Sequence, residues 1–258
     1  MATKSKSNGG GNLPVELENA FEEDLNLGFE EVTSSDIQIP FLRIIQALSP
    51  QIKKTDSEFI EGASQGDIFN TVTHSTWSGD EGIVVIPVYF QTKFLEFVPR
   101  SQGGGFVGEL SSASEEVRAA IRDTDTGMEM LENGNELVRT AQHYIKLVHE
   151  DGLLEGAIID MKKTQLKRSR IWMALMMMQK RNGKTLPQFA KTYRLKSVED
   201  GNDKGSWYSW SVSVEGEVPS IEAYLECKEF YSGVSSGELR LTPPPLEQLS
   251  PSADDLPF

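Results

Sequence analysis

The run ELVRTAQHYIKLVHE at 136–150 is followed by Asp151-Gly152 and then by LLEGAIIDMK at 153–162. The first run has strand character, with Gln142, Tyr144 and Lys146 alternating against His143, Ile145 and Leu147, and the second reads as the returning strand. Asp-Gly between such runs is the strongest short-range hairpin signal. So tight a turn joins only antiparallel neighbours, because a parallel pair needs a crossover of about a dozen residues or more. This stretch commits the middle of the chain to an antiparallel sheet.

Other segments extend it. IPFLRIIQALSP (39–50) predicts a strand closed by Ser49-Pro50, and GDIFN (66–70) a short one. IVVIPVYF (83–90) is apolar on both faces and predicts a central strand in which Pro87 needs an edge or a bulge. KFLEFVP (93–99) follows closely enough to be its hairpin partner. FAKTYRLKS (189–197) and SWYSWSVSV (206–214) are joined by the polar turn EDGNDKG. Helices are expected at 114–121 with Ser114 as N-cap, at 164–183 up to Gly183, and at 220–233 after Pro219 and up to Gly233. About six to eight strands joined by tight turns argue against a parallel doubly wound sheet. The expected class is mainly β with inserted helices (α+β), built as a twisted antiparallel barrel of the OB-fold type. Residues 1–35 read as a flexible leader and acidic arm, 36–238 as the domain, and 239–258 as a disordered acidic tail.

Composition narrows the function. No apolar run approaches the roughly 18 residues of a membrane span, and MATKSKSNGGGN has no apolar segment behind its lysines, so no secretory signal is expected. A single cysteine, Cys227, allows no intramolecular disulfide and fits a reducing cytoplasm. With no metal-ligand spacing among the three histidines and this cysteine, no metal or other cofactor is expected. The net charge of −14 argues against nucleic acid until its distribution is read. Residues 13–31 hold seven acids and no base, with Leu13, Leu17, Phe21 and Leu25 at every fourth position. Residues 139–196 hold thirteen Lys/Arg against four Asp/Glu, a local balance of +9.

Strand alternation says which of those cations share a face with an aromatic ring. In SWYSWSVSV the core face is Tyr208, Trp210, Val212 and Val214, leaving Trp207 on the polar face with three serines. Arg194 and Lys196 lie opposite Tyr193 and Leu195 on the preceding strand and are expected to flank Trp207. Tyr144 shares a face with Lys146, and Lys93 adjoins Phe94. A sequence-indifferent binder of single strands needs such a cationic groove with aromatic shelves. KKTQLKRSR (162–170) adds Lys162, Lys163, Lys167, Arg168 and Arg170 just before the apolar IWMALMMM. That segment is apolar on all faces, which implies burial or self-association.

Enzymatic alternatives are thin. A strand ending in Asp160-x-Lys162 resembles half of the restriction-type nuclease core, where a carboxylate holds Mg²⁺ and a lysine orients water. Further carboxylates are needed, and Asp80 and Glu81 precede a strand instead of crowning its end. GGGFVG (103–108) lacks the Lys-Ser/Thr of a phosphate loop. A third reading is an interaction module whose acidic arms mimic nucleic acid.

The chain closes on LEQLSPSADDLPF. Asp254, Asp255, Leu256, Pro257 and the terminal Phe258 resemble the acidic tip of bacterial single-stranded DNA-binding proteins. DIQIPFLRIIQALSPQ, GDIFN, IVVIPVYF and GGGF, with that ending, resemble phage-encoded single-stranded DNA-binding proteins. The resemblance implies binding of single-stranded DNA in replication and recombination without catalysis, recruitment of partner proteins through the tip, and residence in the host cytoplasm.

Overall fold

The computed structural model describes residues 38–239 apart from 125, 126, 204 and 238, and, from the acidic arm, positions 14, 17, 19–21, 24 and 27–32. The tip residues Asp254 to Phe258 lie outside the described residues. In chain order the strands and helices are β1 (Leu42–Ile44), β2 (Ile68–Asn70), β3 (Thr76–Trp77), β4 (Ile83–Phe97), β5 (Phe106–Leu110), α1 (Glu115–Ala119), β6 (Ile121–Arg122), β7 (Glu129–Met130) and β8 (Glu136–Val148). They continue as β9 (Leu154–Lys162), α2 (Leu166–Met177), β10 (Lys180–Arg181), β11 (Lys184–Thr185), β12 (Lys191–Asn202), β13 (Gly205–Glu217) and α3 (Ile221–Ser236).

The Asp151-Gly152 hairpin is present: β8 pairs antiparallel with β9 from Thr140↔Lys162 to Val148↔Leu154, and Gly152 takes the positive φ of 89° that the turn requires. The long central pair is β4 with β8. Around it the order is β9, β8, β4, β12, β13, all antiparallel; β5 extends the far half of β4, and β7 and β6 extend the start of β8. The protein is mainly β, with a curled antiparallel half-barrel sheet and few helices.

Three boundaries differ from the sequence reading. The segments 83–90 and 93–99 form one strand, not a hairpin, since Gln91 and Thr92 have no turn chemistry and continue the ladder opposite Gln142 and Ala141. Pro87, which cannot donate to a ladder, is absorbed by a register shift between Pro87 and Tyr89. The helix expected to end at Gly183 stops at Met177, and Asn182-Gly183, both at positive φ, form the turn of the β10–β11 hairpin. Finally, α3 runs through Gly233 to Gly237: a side chain at Gly233 would meet Leu239 Cδ1 at 2.8 Å, so the glycine admits a packed leucine and does not stop the helix.

The concave face is filled by Ile83, Val85, Ala141, Ile145, Ile159, Tyr193, Leu195 and Trp210, with Leu42, Ile44 and Ile68 from the small β1–β3 sheet. Trp172 and Met176 of α2 plug it; Trp172 is fully buried, stacked 4.5 Å from His143 and edge-on to Tyr193. The remaining face of α2, Ile171, Ala174, Met177 and Met178, is exposed. On the convex face α3 packs Cys227 against Ile86 and Val88, and Val234 against Tyr144 and Ile158.

Both edges of the curl reach the segment 40–46. Ile158 of β9 donates its N–H to the Pro40 carbonyl at 2.9 Å beside a parallel bridge at Phe41. The Gln46 amide mimics a backbone pair with Tyr208 of β13, donating to its carbonyl and accepting from its N–H, both at 2.9 Å.

Candidate nucleic-acid interface

At the end of β9 the chain must leave the sheet and enter α2, and Lys163 makes that turn with a φ of 50°. The kink sets the front of α2 beside the start of β8 and the β6–β7 hairpin. A cleft of about 490 Å³ results. Arg122 from β6, Arg139 from β8, Lys163, and Lys167 and Arg170 from α2 line it, against two carboxylates, Glu129 and Glu136. Lys167 and Arg170, three apart on the helix, present one face. Ser169 between them points inward, its Oγ 2.8 Å from His143 Nε2. Burial holds the His143 imidazole neutral, its pKa down to about 3.

An acid ties this cleft to the edge hairpin. Asp200, near the tip of β12, accepts from Lys167 at 2.8 Å and from Arg168 at 3.1 Å, and these partners, Lys167 first, hold its carboxyl below the usual range. Directly opposite Asp200 in register stands Trp207, so the two share a face. Trp207 is half-buried, and its indole N–H donates to Ser209 Oγ at 3.0 Å. The ring is thus pinned beside the cationic front of α2.

The remaining sequence-chosen residues are elsewhere. Tyr144 is only 3% exposed. Its hydroxyl accepts from Gln91 Nε2 at 2.7 Å and donates to Gln142 Oε1, and burial raises its pKa. It is a core ring under α3 and offers no stacking surface. Lys146 is a strut to α3, bonded to Glu226 at 2.8 Å and 4.9 Å above the Phe230 ring. Arg194 is held by Glu215 through two bonds, at 2.9 and 2.7 Å. Lys196 is exposed opposite Ser211, four residues along β13 from Trp207, roughly 13 Å away at strand rise. Arg194 and Lys196 therefore do not flank the tryptophan.

Lys93, paired with Glu109 at 2.7 Å, faces the opposite side of β4 from Phe94, which is in register with Arg139. On the side of Lys93, Gln91 Nε2 bonds Gln142 Oε1 at 2.7 Å and Gln142 Nε2 bonds Asp160 Oδ1 at 2.9 Å. Burial raises the Asp160 carboxyl, opposed by the Gln142 bond and by Lys162, Arg43 and Lys93. Lys162 also lies 5.9 Å from the Phe97 ring centre. Among the described residues no three His, Cys, Asp or Glu side chains converge to hold a metal ion. The Cys227 thiol is buried on the inner face of α3, its pKa pushed up to about 11 by that burial.

The site therefore gathers Lys163, Lys167, Arg168, Arg170 and Trp207 from the sequence-chosen set. It adds Arg122 and Arg139, solitary arginines with no neighbouring charge run to mark them.

These features define a class, a mainly β protein with a curled antiparallel sheet and a basic cleft at one end. The chain belongs to the Pam3 phage gp34-like protein family, whose model matches residues 8–240. No curated protein and no solved structure matches it. Among the described residues no helix is long and apolar enough to cross a membrane.

Proposed function

We propose that this phage protein binds single-stranded DNA without strong sequence preference and without catalysis, in replication and recombination in the host cytoplasm. The observation that carries this reading is the cleft, with five cations facing two carboxylates and a pinned tryptophan at its margin. Phosphates supply salt-dependent affinity on such a surface, and a half-buried ring at its margin supplies stacking that every base satisfies.

The strand order also supports an OB-type barrel. Five strands run β4, β8, β9, then β12 and β13, with α2 between β9 and β12, and segment 40–46 spans the two open edges. In OB-folds the second and third strands and the loops after the first and fourth strands hold oligonucleotides. Here those are β8, β9, residues 98–135 and the tip of the β12–β13 hairpin, which is where Arg139, Arg122 and Asp200 with Trp207 stand. Asp254, Asp255, Leu256, Pro257 and Phe258 serve a second role, recruiting partner proteins through an acidic stretch and an aromatic ring. Self-association through the exposed face of α2 is compatible with both roles.

Labelled oligo-dT titrated in a salt series with Mg²⁺ present tests the reading. Salt-sensitive binding of intact oligonucleotide is expected. Cleavage would favour the nuclease alternative through Asp160 and Lys162, and absence of binding would favour the acidic interaction module.

A further inference from the structure

The basic cleft does not end at its inner wall. Met128, Glu136, Val138 and Lys163 also line a second cavity of about 370 Å³. Its character is different. Phe97, Val98, Pro99, Met128, Met130 and Val138 give it apolar walls, and its two cations, Arg100 and Lys163, are balanced by Asp123 and Glu136. Phe97 is a fixed wall: it is 7% exposed, edge-on to Phe106 at 5.5 Å and under the Lys162 ammonium.

We infer that this second cavity receives one unstacked nucleobase of a bound strand, while the adjoining cleft holds the flanking phosphates. The inference rests on the single-strand reading above. A balanced, apolar cavity does not attract phosphate, whereas the excess of cations next door does. A volume of about 370 Å³ is at the small end of ligand pockets and suits one aromatic heterocycle with some water. Asp123 and Glu136 supply acceptors. Every unpaired base carries a ring N–H or an amino group on its pairing edge, so such acceptors hold any base without selecting one. Lys163, common to both cavities, is placed to meet the phosphate that joins them.

The test compares oligo-dT with an abasic strand of equal length by fluorescence anisotropy. Wild-type protein should bind the base-bearing strand more tightly. Ser101→Trp, at an exposed position on the cavity wall, fills the space without disturbing the core. It should weaken oligo-dT binding roughly tenfold, within the range for loss of one stacked base, and leave abasic binding unchanged. Met130→Glu, which puts a carboxylate in the same space, should act alike, with thermal melting confirming its fold. Equal loss on both strands, or no loss on either, overturns the base pocket while the single-strand reading stands. Wild-type protein that binds neither strand refutes both.

Discussion

Replacing Arg139 and Arg170 together by alanine should flatten the salt dependence of oligonucleotide binding. Both are exposed in the cleft, and neither joins a described ion pair, so the fold should survive. Each phosphate neutralised on a single strand contributes about −0.7 to the slope of log K against log salt. If all five cleft cations engage phosphate, the wild-type slope is about −3.5, a fall of about 130-fold in affinity between 50 and 200 mM salt. Removing two leaves about −2.1, a fall of about 20-fold over the same interval. Anisotropy with labelled oligo-dT at four salt concentrations measures both slopes. An unchanged slope in the double variant would show that the strand does not run through this cleft. Parallel loss in the control pair Arg194→Ala and Lys196→Ala would show that its path is not confined there.

Trp207→Ala should cost about 1–3 kcal/mol of oligonucleotide binding, the usual stacking range, with the salt slope unchanged; titration at fixed salt measures it, and wild-type affinity would exclude stacking. The His143 pKa is lowered to about 3 in the folded protein from 6.5, so the unfolded chain binds more protons below pH 6.5. The stability it contributes is present above pH 6.5 and is lost as pH falls towards 3. Between pH 6.5 and 5 that loss is about 2 kcal/mol. His143→Phe, which keeps a ring against Trp172, should show a correspondingly shallower pH dependence in denaturant unfolding; an identical dependence refutes the assignment. Deleting residues 247–258 should tighten oligonucleotide binding modestly, most at low salt, whereas Phe258→Ala should spare DNA affinity and abolish partner capture from host lysate. Identical capture by both forms would refute the docking role.

Local chemistry revealed the fold where one turn could mean one thing. Asp151-Gly152 between two strand-forming runs has a single solution, and β8 and β9 adopt it. Asn182-Gly183 has the same chemistry, but the apolar run before it carries a helical signal that extends the expected helix to Gly183, whereas the turn belongs to the β10–β11 hairpin. Continuity of β4 is hidden because the polar Gln91 and Thr92 separate two apolar runs, and only pairing with Gln142 and Ala141 of β8 shows that they continue one strand. The bulge at Pro87, by contrast, is among the alternatives its chemistry allows.

The site divides in the same way. A charge run marks Lys163, Lys167 and Arg170, whereas IWMALMMM reads as apolar on all faces and only Trp172 and Met176 are buried, leaving Ile171, Ala174, Met177 and Met178 exposed. Alternation put Tyr144 and Lys146 on one face, which is correct, but it cannot say that α3 covers that face. Arg122 and Arg139 join the cleft only through the β6–β7 and β8 pairings.

Photocrosslinking of a thiothymidine-substituted oligonucleotide, followed by mass-spectrometric mapping, tests the central claim most directly. Adducts should fall within 122–139, 163–170 and at Trp207, and excess unlabelled oligo-dT should abolish them. Adducts concentrated on the face of Arg194 and Lys196, or none above background, would contradict the account.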